Sequence, residues 1–226
     1  MALGLVSEIL FGFTGLISIV NPFAIAFVFL ERTETLSDEE RDALAKKIAI
    51  NAVCVLCVAF FVGTPILHFF GISMQALRIG GGLAVAVSGW KMLNAPDVVR
   101  NVGTVKNVDS DNAMSKAFFP FTVPLTTGPG AIATAIALNA NRSHKFSEFL
   151  TSVVASLCVS LLVGVVIYWT YSRANIFSRY LGIEGTKVAM RISAFLLLCV
   201  GVQIMLTGVA DFLGPLIAVR DPAAAG

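Results

Sequence analysis

Between Ile48 and Phe70 the chain runs for 23 residues without a single Asp, Glu, Lys or Arg. As a helix, a stretch of this length matches the hydrocarbon core of a bilayer, which about 20 apolar residues suffice to cross. The rest of the chain is not built to wrap such a surface away from water. Charged residues are 13% of the total, about half the share usual in a soluble domain, and mean hydropathy is +0.85. The surface is made for lipid, where backbone groups must be paired within the protein and helices or closed barrels are the forms that cross.

Six segments have the required length and character: Leu5 to Leu30, Ile48 to Phe70, Ile72 to Leu93, Ala117 to Leu138, Phe146 to Tyr171 and Val188 to Leu213. The first begins almost at Met1 with no basic residue before it and passes Asn21-Pro22 without a cleavage signal, so it is expected to stay as a span. Ser37-Asp38-Glu39-Glu40 is a capping-box pattern that starts a polar helix running through Lys46-Lys47 into the second span. The second and third spans nearly touch at Phe70-Gly71-Ile72, which predicts a tight helical hairpin. Asn94 to Ser115 is polar, holds Pro96 and several Asn and Asp, and reads as a linker. The fold class is therefore all-α membrane protein: one transmembrane domain over 1–226, with units 1–95 and 116–226 joined by a cytoplasmic linker at 96–115.

Twelve of the 16 Lys and Arg fall on the first, third and fifth connections, and Arg78, Arg142, Lys145 and Arg220 on the other side. By the positive-inside rule the crowded side is cytoplasmic and both termini lie outside. The net charge of +2 is small and its basic residues are scattered, which excludes a nucleic-acid partner. Cys54 and Cys57 have the spacing of a metal or redox pair. In an apolar run with no His near them, however, they and Cys158 and Cys199 are expected to be buried, inert thiols. No cofactor or metal is expected.

The two units match at three places in order. Asn21-Pro22-Phe23-Ala24-Ile25 answers Gly128-Pro129-Gly130-Ala131-Ile132. Cys57-Val58 with Val62-Gly63 answers Cys158-Val159 with Val163-Gly164. Gly71-Ile72 with Arg78 answers Gly182-Ile183 with Arg191. A unit of three spans is odd, so the second copy must be inverted. Inverted repeats with Gly/Pro-interrupted helices at matching positions point to a transporter's midplane site. Pro22 and Pro129 lie well inside their spans, where proline removes a donor and clashes with the preceding turn. Each break predicts a half-helix amino terminus, at Ala24-Ile25 and at Ala131-Ile132, that favours an anion such as a substrate carboxylate. The hydroxyls of Thr126 and Thr127 and the carbonyls near them are candidate ligands for an ammonium or a coupling ion. Asn21 and Gln203 are further polar candidates.

Arg78 and Arg191 stand inside the third and sixth spans, at a cost of about 2.5–3.5 kcal/mol for an Arg at a helix centre. They either bind a carboxylate or hold carbonyls exposed by the broken helices, and their symmetric placement suits a structural or gating role better. Gly80-Gly81-Gly82 predicts a close helix approach. No acid lies mid-membrane, so a buried carboxylate proton relay has little support.

Asn21-Pro22, Ala76-Leu77-Arg78-Ile79 with its glycines, and Pro124-Leu125-Thr126-Thr127-Gly128-Pro129-Gly130-Ala131-Ile132 together resemble the MarC family of integral membrane proteins, along essentially the whole chain. The resemblance implies a prokaryotic inner-membrane protein. Through the family's SnatA-like transporters, it also implies a substrate class of small neutral amino acids such as glycine and alanine. Carried over, it sets the substrate between Asn21 to Ala24 and Thr126 to Ala131. Phe23 and Phe27 follow the first break where smaller residues would leave more room. The expected partners are a small neutral amino acid, membrane lipid and a coupling ion, Na+ or H+. The alternatives are a small-solute channel and an intramembrane enzyme, although no His-Glu-x-x-His motif or mid-membrane Asp pair is present for the latter.

Overall fold

The computed structural model describes residues 2–94, 113–140 and 146–220, almost all of them helical. The elements are α1 (Ala2–Val20), α2 (Pro22–Arg32), α3 (Asp38–Phe69), α4 (Met74–Leu93), a short 3-10 turn (Met114–Lys116), a π-helix (Ala117–Thr126), α5 (Pro129–Ala140), α6 (Phe146–Ser172) and α7 (Ala174–Arg220). Most of the expected linker, 96–115, lies outside the described residues.

By length and apolarity, Gly4–Leu30, Asp38–Phe69, Leu150–Ser172 and Glu184–Gly214 can each cross a membrane. Met114–Thr126 with Pro129–Asn139, bent by 68° at its break, makes a fifth such segment if the pair counts as one span. The expected third span is an unbroken helix, α4 (20 residues), but Gln75, Arg78 and Lys91 dilute its apolarity and it is not among those segments. The last helix begins earlier than the sequence suggests, at Ala174, and is kinked at Gly182.

The sequence punctuation acts where it stands. Ser37 caps α3: its hydroxyl accepts from the Glu40 amide, and the Glu40 carboxylate accepts from the Ser37 amide at 2.9 Å. Behind that cap lies Arg41, 7% exposed. Its guanidinium donates to the Thr33 hydroxyl, to the carbonyls of Thr33 and Leu36 and to the Asp38 carboxylate, tying the end of α2 to the start of α3. Gly71 turns the α3–α4 hairpin with φ 66°, a left-handed conformation that suits glycine, and Gly182 kinks α7 with the same φ.

Without a hydrophobic drive between helices in lipid, association rests on close van der Waals packing, for which small residues suit best. Ala45, Ala49, Ala52, Ala59 and Gly63 give α3 its buried face. On α6, Val159, Val163, Ile167 and Tyr171 recur at every fourth position and are fully or almost fully buried. The closest pair is α4 with α7, which run antiparallel. A Cβ added at Gly82 would sit 2.7 Å from the Gly201 carbonyl oxygen, and one at Gly201 would sit 2.3 Å from the Ala86 nitrogen. The expectation of close approach at Gly80-Gly81-Gly82 holds at two of the three. Gly81 faces Ala133 and Gly82 faces α7, whereas Gly80 opens to empty space.

The expectation of buried cysteines is corrected. All four are free thiols, but Cys54 and Cys199 are exposed and Cys57 and Cys158 half-buried. A thiol is apolar enough to face hydrocarbon, so an apolar run in a membrane does not imply burial inside the protein.

Candidate functional site

The first span breaks at Asn21, whose φ of 45° and ψ of 58° end α1, and Pro22 opens α2. Proline suits the first helical position because the amide it lacks would have no partner there. The Asn21 side chain does not cap α2; its amide donates to the Ser193 carbonyl of α7 at 3.1 Å. Ile25 is the first residue of α2 whose amide finds an i−4 carbonyl, that of Asn21. The first-turn amides of Phe23 and Ala24 thus have no side-chain cap. Pro22, Ala24 and Ile25 are buried, while Phe23 is 51% exposed and meets Phe177 edge-on at 6.3 Å between ring centroids.

The fourth span breaks between Thr127 and Pro129. The segment before it is π-helical, with Pro120 and Pro124 inside and extended backbone at Phe119 and Val123. In this wider winding the threonine hydroxyls bond back five residues instead of facing a ligand. Thr122 donates to Ala117, Thr126 to Phe121 and Thr127 to Thr122, at 2.7, 2.7 and 3.0 Å. Thr126 also bonds the hydroxyl of Tyr171 at 2.8 Å. Thr126 and Thr127 are buried, and what each retains toward a ligand is oxygen lone pairs, suited to an ammonium or a cation. After Gly128, α5 begins at Pro129. Gly130 packs against α4 so closely that a Cβ there would lie 1.8 Å from Cγ2 of Val85, and Ala131 is buried behind it.

The two breaks lie on neighbouring spans. α1 packs against α5, and α2 against the π-helix. A Cβ at Gly12 would come within 4.0 Å of Leu138, and Phe29 meets Phe121 edge-on at 5.7 Å. The two broken spans therefore run antiparallel as neighbours, in contact on both sides of their breaks. An aromatic lock secures the arrangement: Tyr171, fully buried, stacks on Phe29 at 4.8 Å and holds Thr126 with its hydroxyl. The sequence hint for Tyr171 was chemical, since a tyrosine near a span end whose ring is buried needs a partner for its O–H. Phe177, Ser193 and Val85 had no such signal.

Arg78 and Arg191 are not at the breaks. Arg78 pairs with Asp211 near the far end of α7, and Arg191 donates to the Leu93 carbonyl at the end of α4. Each thus clasps the end of the helix antiparallel to its own. The expectation that they hold carbonyls freed by the broken helices is corrected as far as the described partners go: the Leu93 carbonyl that Arg191 binds belongs to an ordinary helix terminus, where the last carbonyls lack intrahelical partners. Gln203 is exposed on α7.

Taken together, the long apolar helices and paired mid-span breaks define a multi-pass helical membrane protein. The MarC family model, described as "MarC family integral membrane protein", matches residues 6–213, and the chain belongs to that family. It is 29% identical over 208 residues, 89% of this chain and 94% of the relative's length, to the UPF0056 inner membrane protein MarC of Escherichia coli (strain K12). The relatives of that name in Escherichia coli (strain SMS-3-5 / SECEC) and Shigella flexneri match with the same identity and coverage. The chain is accordingly a multi-pass inner-membrane protein. No solved structure matches it.

Proposed function

We propose that the protein is a secondary transporter, not a catalyst, carrying small neutral amino acids (glycine, alanine and serine) by alternating access around a site between the two broken spans. Its six spans are two inverted three-helix repeats with both termini outside, and Na+ or H+ couples the movement. The observation that carries this reading is the pair of proline-initiated half-helices, α2 and α5, on neighbouring antiparallel spans. Uncapped first-turn amides suit a carboxylate. The lone pairs of Thr126 and Thr127 and the carbonyls around the π-helix suit an ammonium or the coupling ion. A site flanked by Phe23 with Phe177 and by Gly130 with Val85 suits a substrate with a short side chain. The repeat is further supported by the left-handed glycines at Gly71 and Gly182 and by the reciprocal clasps of Arg78 and Arg191, which fall at aligned positions.

The test is uptake of radiolabelled glycine by proteoliposomes, with alanine, serine, leucine and lysine as competitors under imposed Na+ and proton gradients. Saturable uptake displaced by alanine and serine, but not by lysine, is expected. Phe23→Ala, at a half-exposed position, should let leucine compete. Unsaturable, uncompeted flux would assign a channel and overturn the proposal.

A further inference from the structure

The start of the span Asp38–Phe69 and the end of the span Leu150–Ser172 meet, with the Tyr168 hydroxyl donating to the Asp42 carboxylate. There they enclose an open cleft of about 240 Å³, lined chiefly by Asp38, Arg41, Asp42, Ser172, Asn175 and Arg179. Its charges are unevenly satisfied. The Asp38 carboxylate takes both the Arg41 guanidinium and the Asn175 amide, each at 2.8 Å. Among the described residues, Asp42 has only the Tyr168 hydroxyl, at 3.3 Å, and neither Asp42 nor Arg179 has an ion pair. A carboxylate and a guanidinium that share a cleft without pairing are matched by a ligand carrying both charges. Surface pairs in water gain little from direct contact, but a bridging zwitterion satisfies both groups with charge-assisted hydrogen bonds.

The surroundings identify the source of that zwitterion. Below the cleft on α6, Leu161, Val165, Tyr168 and Trp169 form an exposed stripe that leads up to Ser172 in the cleft wall. Arg173 lies over the Trp169 ring at 5.9 Å. Tyrosine and tryptophan with basic residues mark headgroup level, and an exposed apolar stripe beneath is where acyl chains lie. We infer that this cleft is a binding site for the zwitterionic headgroup of an aminophospholipid, with the primary ammonium on Asp42, the phosphate on Arg179 and the acyl chains along α6.

A primary ammonium donates three hydrogen bonds, whereas the trimethylammonium of a choline lipid donates none and is larger. Full-length protein is therefore purified in detergent and offered phosphatidylethanolamine, phosphatidylcholine and phosphatidylglycerol of identical chains, and retained lipid is counted by native mass spectrometry. Wild type should retain one phosphatidylethanolamine over phosphatidylcholine by about tenfold, the change expected for one hydrogen bond to a charged group. Asp42→Asn should erase that preference, and Arg179→Gln should lower retention of both lipids about equally, each variant keeping the wild-type elution volume; an undiminished preference in Asp42→Asn would overturn the site. Equal retention of the ethanolamine and choline lipids by wild type overturns the site, whatever the variants do. A further arm adds free glycine or O-phosphoethanolamine at millimolar concentration. Failure to displace the lipid is expected, whereas displacement from wild type would make the cleft a site for soluble zwitterions and overturn the lipid assignment.

Discussion

Thr126 and Thr127 are neighbours in sequence but answer to different partners. Both bond back to their own π-helix, and Thr126 also carries the bond to Tyr171 that joins this segment to α6 and, through ring stacking, to α2. Tyr171→Phe should therefore lower thermal stability in detergent by about 1 kcal/mol, the usual size of one lost hydrogen bond. Thr127→Val should cost a similar amount in folding, because its proton serves Thr122 and not a ligand. Arg41→Ala should cost more, about 3 kcal/mol, since it strips a buried cation from the carbonyls of Thr33 and Leu36 together. Denaturant titrations followed by tryptophan fluorescence check all three. At this scale the sequence was only partly legible. The break residues stood out because proline and glycine carry their backbone consequences with them. The threonines read as free ligands because nothing in Phe119-Pro120-Phe121-Thr122-Val123-Pro124 announces a π winding. The space that Gly130 frees is filled by Val85, so a large residue there would push α4 and would not simply fill a pocket.

Elements followed their signals more closely. The capping box began α3, Gly71 turned the hairpin and both proline breaks fell where expected. Helix partnership was another matter. In a water-soluble bundle the apolar stripe of a helix shows which face is covered, but in lipid nearly every face is apolar and the stripe disappears. That α4 pairs with α7 was visible only through its glycines, and there one position in three misleads. Gly201→Ala should destabilise by about 2 kcal/mol or more, because its Cβ would overlap the Ala86 backbone, and overpacking of this kind forces backbone shifts. Gly80→Ala, with nothing within 4 Å, should instead leave stability unchanged or raise it by up to about 1 kcal/mol through helix propensity. Thermal unfolding of the two variants side by side separates a packing glycine from an incidental one.

At the scale of the whole molecule, the charge asymmetry predicts that reporters fused at Gly226 and within 96–115 will signal from opposite sides of the membrane, the first from outside. A cytoplasmic signal at Gly226 would break the six-span, termini-out arrangement. The pairing of α4 with α7 bears on how such a molecule is able to move. Their backbones touch with no side chains interposed, and each helix is pinned to the other's far end, by Arg78 at Asp211 and by Arg191 at Leu93. Two rods in contact along their length and fastened at both ends can neither slide nor splay without releasing a fastening. Their remaining freedom is to tilt or turn as one block. The breaks rest against that block from separate helices, Gly130 on Val85 of α4 and Asn21 on Ser193 of α7. A tilt of the block therefore reaches both half-helices at once, and a single rigid part is enough to act on both breaks.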